Sequence, residues 1–315
     1  HRRKPMIRWY TDSMYENGID SALFRSFLAP GVDRLEFILA WLRSNSVPAQ
    51  TVELAKRRHI VVRFEALSYD PRFRMKTLIA HYDRADNTPG ANDNSAACFM
   101  LMHFSRLLAS GEFGRRLHNI RIIFTDGEEA AVSGGIAAQG AYALGEGLRK
   151  LNMRDDDIYV FDACGRGDTL IVSTSGMEYD ADTKLGKKLA ALHKRASVIA
   201  AEASPHSWIR IPTPFSDNAG LLAAGIASQV ITVLPHEEAS MVLGASLADV
   251  SGKNFRSALE LGRRSEQAEK WTDSIPHTWK LMHTIGDNAE SLTAEAEPLI
   301  WRFLSRLTEK IEPAL

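Results

Sequence analysis

The chain is poor in cysteine, almost without net charge and free of any long apolar run, and each shortage removes a class of protein. Two cysteines, Cys98 and Cys164, in 315 residues cannot build a disulfide framework. They favour a reducing compartment, and with no Cys-x-x-Cys spacing they read as small buried hydrophobes rather than as thiolate ligands. A formal net charge of -1, from 38 Lys and Arg against 39 Asp and Glu, provides no field for a nucleic-acid partner. No stretch approaches the roughly 20 apolar residues of a spanning helix, so no membrane segment is expected. The basic start His1-Arg2-Arg3-Lys4 has no apolar h-region after it. It reads as a solvated tail without a signal peptide, which with the cysteines favours a cytoplasmic location and leaves it open, since the sequence does not begin with Met and a segment could have been trimmed. No Gly-x-Gly-x-x-Gly opens a helix after a strand, no Walker pattern occurs, and no Gly-x-Ser-x-Gly elbow is present, so nucleotide chemistry and serine hydrolysis are not expected.

What remains is an ordinary globular composition, 45% hydrophobic and 24% charged, in a chain long enough to bury a large core as one domain over 1–315. Leu35, Ile38, Leu39 and Leu42 recur at helical spacing in a first 50 residues that look helical. Residues 57–67 and 75–81 read as strands, 94–110 as a helix and 119–125 as a strand. A helical stretch at 135–150 and strands at 157–162 and 229–234 follow. Ile300, Phe303, Leu304 and Leu307 mark a core helix near 298–307. Strand and helix in alternation predict an α/β fold with helices on both faces of a mostly parallel sheet.

The strand ends carry the chemistry. The apolar run Leu78-Ile79-Ala80 delivers His81 and Asp83, two residues apart and so on one face. After Pro89-Gly90, the capping cluster Asn92-Asp93-Asn94-Ser95 places Asp93 at a helix start. The next strand runs into Asp126-Gly127-Glu128-Glu129, and the following one into Asp162. Parallel strands put these ends on one rim. Several carboxylates there would repel one another unless cations neutralise them. A His with acids suits zinc. Paired glutamates suit a hydrolytic site, in which one carboxylate binds the ion and the other takes the proton from water.

His81-Tyr-Asp83, Gly90-Ala-Asn-Asp93-Asn-Ser, Asp126-Gly-Glu128-Glu129, Phe161-Asp162-Ala-Cys-Gly165-Arg166-Gly-Asp168, Ser216-Asp217-Asn218 and Met282-His283-Thr284-Ile-Gly-Asp287-Asn288 together resemble the ordered motifs of the zinc-dependent aminopeptidases that share a family with the glutaminyl cyclases. The likeness covers roughly residues 57–312. It implies a zinc-exopeptidase-like three-layer sandwich acting on peptides with free N-termini. By resemblance, Asp93 bridges two zinc ions, His81 and Asp162 complete one site, and Glu129 and His283 complete the other. Glu128 is the general base, and Asp83 fixes the His81 ring. Asp217 resembles the acid of a Ser-Asp-His element whose third residue here is Asn218.

His236 and His277 compete with His283 for the last ligand position, and without His283 one zinc remains. Asp287 and Asn288 are expected to start the helix that follows. Residues 237–280 read as an insertion able to cover the site, with a helical segment at 254–270 and with Trp271 and Trp279 either lining a pocket or packing onto the domain. Pro205-His206-Ser207-Trp208 reads as a loop forming another wall. The alternative reaction is cyclisation of N-terminal glutamine with one zinc, against which Met282 stands where the cyclases place tryptophan. A catalytically inactive binding module is the third reading. The oligomeric state is not legible.

Overall fold

The computed structural model describes residues 21–113, 116–153, 155–249, 254–259, 271–310 and 312–314. The basic start and the larger part of the expected helix at 254–270 lie outside them. At the centre is an eight-stranded sheet: β1 (Ala49–Leu54), β2 (Arg57–Val62), β3 (Lys76–His81), β4 (Ile120–Thr125), β5 (Asp157–Phe161), β6 (Thr169–Ser173), β7 (Trp208–Ile211) and β8 (Ser228–Leu234). The order across the sheet is β1-β2-β4-β3-β5-β8-β6-β7. β4, β3, β5 and β8 run parallel, β2 joins them antiparallel through β4, and β6 joins antiparallel through β8.

The inner strands are the apolar runs of the sequence. β3, β5 and β8 are buried at every residue, whereas β1 is nowhere fully buried. Alternating residues serve opposite layers. Leu78 and Ala80 face a core with α1 (Ala22–Leu28), α2 (Arg34–Ser44), α3 (Ala96–Ser110), α5 (Lys184–Ala203) and α10 (Ala296–Glu309). Ile79 faces α4 (Gly140–Lys150) and α6 (Asp217–Ala223). Beyond them, α7 (His236–Ala248), α8 (Asn254–Leu259) and α9 (His277–Leu281) cover Ile171, Ile211 and Leu234, with Trp279 buried among them and Trp271 packed alongside. Three layers result, as the strand and helix alternation predicts.

Several elements differ from the sequence reading. β1 starts at the end of the 50 residues read as helical and runs on through residues given no assignment, the strand expected over 57–67 stops at Val62, and β6, β7 and α7 were not anticipated. Trp208, assigned to a loop, begins β7 at the sheet edge. Among the described residues no helix is long and apolar enough to cross a membrane.

The chain from β3 goes through α3 to β4 on one side, and from β4 through α4 back across to β5 on the other. The ends of β3, β4 and β5 therefore flank a topological switch point, where ligands of open α/β sheets bind.

At the other end of the sheet, His118 is 1% exposed and its Nδ1 accepts the Ile120 N–H at 3.0 Å. Burial, with help from Lys76, pushes its pKa down to about 4. The folded value lies below the unfolded one of about 6.5, so the stability this neutral ring contributes is lost as pH falls from about 6.5 toward 4. His118→Asn keeps an acceptor for the amide. It is expected to remove about 1–2 kcal/mol of the stability loss between pH 7 and pH 5, read by denaturant unfolding of both proteins at each pH.

Candidate metal centre

β3 carries His81 to the rim fully buried. The loop after it turns at Gly90, whose φ of 63° and lack of space favour glycine: a Cβ there would stand 2.7 Å from the Asp93 carbonyl oxygen. An irregular turn over Ala91–Ser95 then presents Asp93, 3% exposed, before α3 begins. Asp93 Oδ1 lies 3.2 Å from His81 Nε2 and its Oδ2 3.2 Å from His283 Nε2, so one carboxylate faces two imidazoles. Asp162, just past β5, brings Oδ2 within 3.8 Å of His81 Nε2. Glu129 Oε2 is 3.1 Å from His283 Nε2. His283 itself has φ 61°, left-handed backbone that histidine tolerates better than a branched residue, in the exposed turn after α9.

Asp83 ties the first two strand ends together. Its Oδ1 and Oδ2 accept the Glu128 and Glu129 N–H groups at 3.2 and 3.1 Å, and Oδ1 stands 3.5 Å from His81 Nδ1. It thereby sets both the imidazole and the turn that carries the two glutamates. Glu128 Oε1 accepts Gln139 Nε2 at 2.9 Å, while Gln139 Oε1 accepts the Gly220 N–H, which fixes the amide orientation.

Among the described residues, donor atoms gather within 4.8 Å of one another in three overlapping sets: His81, Asp93 and Asp162; Asp93, Glu129 and His283; and His81, Glu128 and Glu129. His81 Nε2, Glu129 Oε2 and Asp162 Oδ1 are buried without a hydrogen-bond partner among the described residues. Buried polar atoms are rarely left so, and each of these belongs to a residue of the three sets. Zinc bonds of 2.0–2.1 Å in tetrahedral array set ligand atoms about 3.3 Å apart, close to the separations of 3.1 and 3.2 Å around Asp93. The donor set fits divalent metal.

The electrostatics agree. The Asp93 and Glu129 carboxylates, 3.2 and 3.1 Å from its Nε2, push the His283 pKa up to about 11. Burial pulls His81 down, yet Asp162, Asp83 and Asp93 together hold it well above its ordinary value. The carboxylates of the rim favour positive charge between them. Glu128 is pushed well up by burial and by Asp162, Asp217 and Asp93.

All seven residues named from the sequence, His81, Asp83, Asp93, Glu128, Glu129, Asp162 and His283, meet at this rim. His236 and His277 do not join any of the donor sets. Both are exposed, at the starts of α7 and α9. Asp217 is fully buried, its Oδ2 accepting the Thr125 hydroxyl at 2.5 Å, and Asn218 Oδ1 accepts the Ser216 N–H.

Asp287 is a correction to the helix start expected there. Its carboxylate accepts the N–H groups of Asn92 and Asp93 at 2.7 and 3.1 Å, Asn288 caps only a short turn over Ala289–Ser291, and α10 begins at Ala296. Gln139 and Thr125 were not singled out from the sequence. Each acts through a partner distant along the chain, and no local pattern marks them.

The sequence model of peptidase family M28 matches residues 62–296. Among curated proteins nothing matches. Solved structures similar to the chain include the LapA aminopeptidase of Legionella pneumophila, at 14% identity and TM-score 0.61, covering 92% of this chain and 71% of that one. A Zn-dependent exopeptidase from Parabacteroides distasonis is 14% identical with TM-score 0.60, covering 94% and 99%. A glutaminyl cyclase of Porphyromonas gingivalis is 16% identical with TM-score 0.58, covering 91% and 95%. At these identities the likeness is one of fold.

Proposed function

The chain belongs to peptidase family M28, and from that premise we propose that it is an aminopeptidase that uses two zinc ions to release the N-terminal residue of a peptide. The observation that carries this reading is Asp93, whose two oxygens each face a different histidine at 3.2 Å and so suit a bridge between two ions. His81 and Asp162 would hold one ion, and Glu129 and His283 the other. The names of the aminopeptidase and exopeptidase of like fold lend support.

When bound, the ions polarise the scissile carbonyl and bring the pKa of water toward neutrality. Glu128 takes the proton of the attacking water and passes it to the leaving nitrogen, its carboxylate oriented by the Gln139 amide on Oε1. A carboxylate whose pKa is raised suits such a shuttle, since it can both accept and return a proton. Asp83 keeps His81 in the tautomer that presents Nε2 inward. Two free buried cysteines are consistent with work in a reducing compartment, which belongs to the same proposal.

The second reading, cyclisation of N-terminal glutamine, draws on the glutaminyl cyclase of like fold, nearly all of whose length this chain matches. A glutamine-initiated peptide separates the two. Hydrolysis is expected to liberate free glutamine without ammonia, measured by chromatography and an ammonia assay. Ammonia with a pyroglutamyl product would overturn the aminopeptidase proposal.

A further inference from the structure

The family match starts at residue 62 and leaves out α1 and α2, yet these helices grip the loop that carries Asp83 and Asp93. Arg34, the first residue of α2, is 6% exposed and has no carboxylate within ion-pair distance among the described residues. Its guanidinium instead reaches loop oxygens. Nη1 donates to the Tyr82 and Asp83 carbonyls at 3.1 and 3.4 Å, and Nη2 donates to the Pro89 carbonyl at 2.9 Å and to Ser95 Oγ at 2.8 Å. The Phe27 ring of α1 packs under it, 4.7 Å from the guanidinium carbon.

Arg84 answers from the loop. Its Nη1 donates to the Leu28 and Pro89 carbonyls and its Nη2 to the Ala29 carbonyl, at 2.9 to 3.1 Å. Leu28 and Ala29 close α1, where carbonyls lack helical partners. The two arginines thus bind reciprocally and share the Pro89 oxygen. A planar fork that spans several acceptors fixes their mutual positions, which a lysine would not do.

We propose that Arg34 is a positioning residue for the metal centre, and that α1 and α2 form a brace that holds the segment 82–95 in its ligand-presenting shape before metal arrives. The inference rests on the metal reading above. Arg34 touches neither the Asp83 nor the Asp93 carboxylate, but it holds the backbone at Tyr82, Asp83 and Pro89 before Gly90 and the Ser95 side chain after Asp93. Its buried positive charge also faces the acid-rich rim, with Asp83 and Asp93 among the charges it feels. Removing it takes a charged donor from the Tyr82, Asp83 and Pro89 carbonyls and from Ser95 Oγ, and leaves Arg84 alone on the Pro89 oxygen.

Zinc affinity of the whole protein, measured by competition with a coloured chelator, tests this. Arg34→Met is expected to weaken zinc binding 10- to 100-fold, as the loss of partners that orient ligands does elsewhere. It should also change the visible absorption of the cobalt-substituted protein. Arg34→Lys should recover only part of the affinity. Ser95→Ala, which removes one acceptor of Arg34 and the hydroxyl that donates to the Gly90 carbonyl, should weaken binding less, and adding it to Arg34→Met should cost less than the two separate losses combined.

Leu35→Ala, on the same helix and 3% exposed, lowers stability without touching the loop and should leave affinity and cobalt spectrum unchanged. Should Arg34→Met fail to fold, Ser95→Ala and Arg34→Lys carry the test. Folded Arg34 and Ser95 variants with wild-type affinity and spectrum overturn the brace while leaving the metal reading intact. A wild-type protein that binds no zinc overturns both.

Discussion

Replacing Glu128 by Gln is expected to lower kcat by about 10²–10⁴-fold, the usual contribution of a positioned general base, while the zinc content per chain stays unchanged. The expectation follows from where the side chain sits. Glu128 and Glu129 are adjacent in a turn whose two N–H groups are both held by Asp83, so their side chains diverge from a fixed base. Glu129 turns to His283 at 3.1 Å, whereas Glu128 turns to Gln139 and is not in either set built on Asp93. Gln at 128 keeps an oxygen for Gln139 and nearly the same volume, but it cannot take a proton. Burial and three nearby acids already push the Glu128 proton affinity up, and divalent cations beside it would lower it again. Elemental analysis beside steady-state kinetics checks the result. A fall in zinc content with the fall in rate would make Glu128 a ligand and leave the base unassigned.

The parts of the fold that were legible are those where burial is continuous. β3, β5 and β8 are uninterrupted apolar runs, and β3, β4 and β5 lead into a His or an acid at the rim, so a strand and its chemistry were read in one stretch. β1 escaped because its residues are only half-buried and it joins β2 through Ala55 and Lys56. Both have positive φ, 49° and 65°, as a two-residue hairpin turn demands, but they lack the Asn-Gly signature that would announce it.

The groups behind the ligands were illegible for a different reason. Arg34 acts on Ser95 across 61 residues and Asp287 on Asn92 across 195. In sequence one is an ordinary charge in a first helical turn, and the other an ordinary cap. Ligand types declare themselves by chemistry and by placement at strand ends, whereas a carbonyl-binding arginine is known only once the chain has closed around it.

Asp93→Ala should have the broadest effect of any single change, because its carboxylate belongs to two of the three donor sets and links His81 to His283. The variant is expected to lose both zinc ions and with them measurable turnover, whereas His283→Ala should lose one ion and keep the other on His81 and Asp162. The energetic reason is asymmetric. Without Asp93, the set it shares with His81 and Asp162 and the set it shares with Glu129 and His283 each fall to two protein donors, below the three of an ordinary catalytic zinc site. Without His283, the His81, Asp93 and Asp162 set is whole. Zinc per chain after gel filtration should therefore read near two, one and zero for wild type, His283→Ala and Asp93→Ala. Equal stoichiometry in the two variants would place the ions on separate ligand sets, with no bridging carboxylate between them, and the two-ion chemistry would have to be rebuilt around some residue other than Asp93.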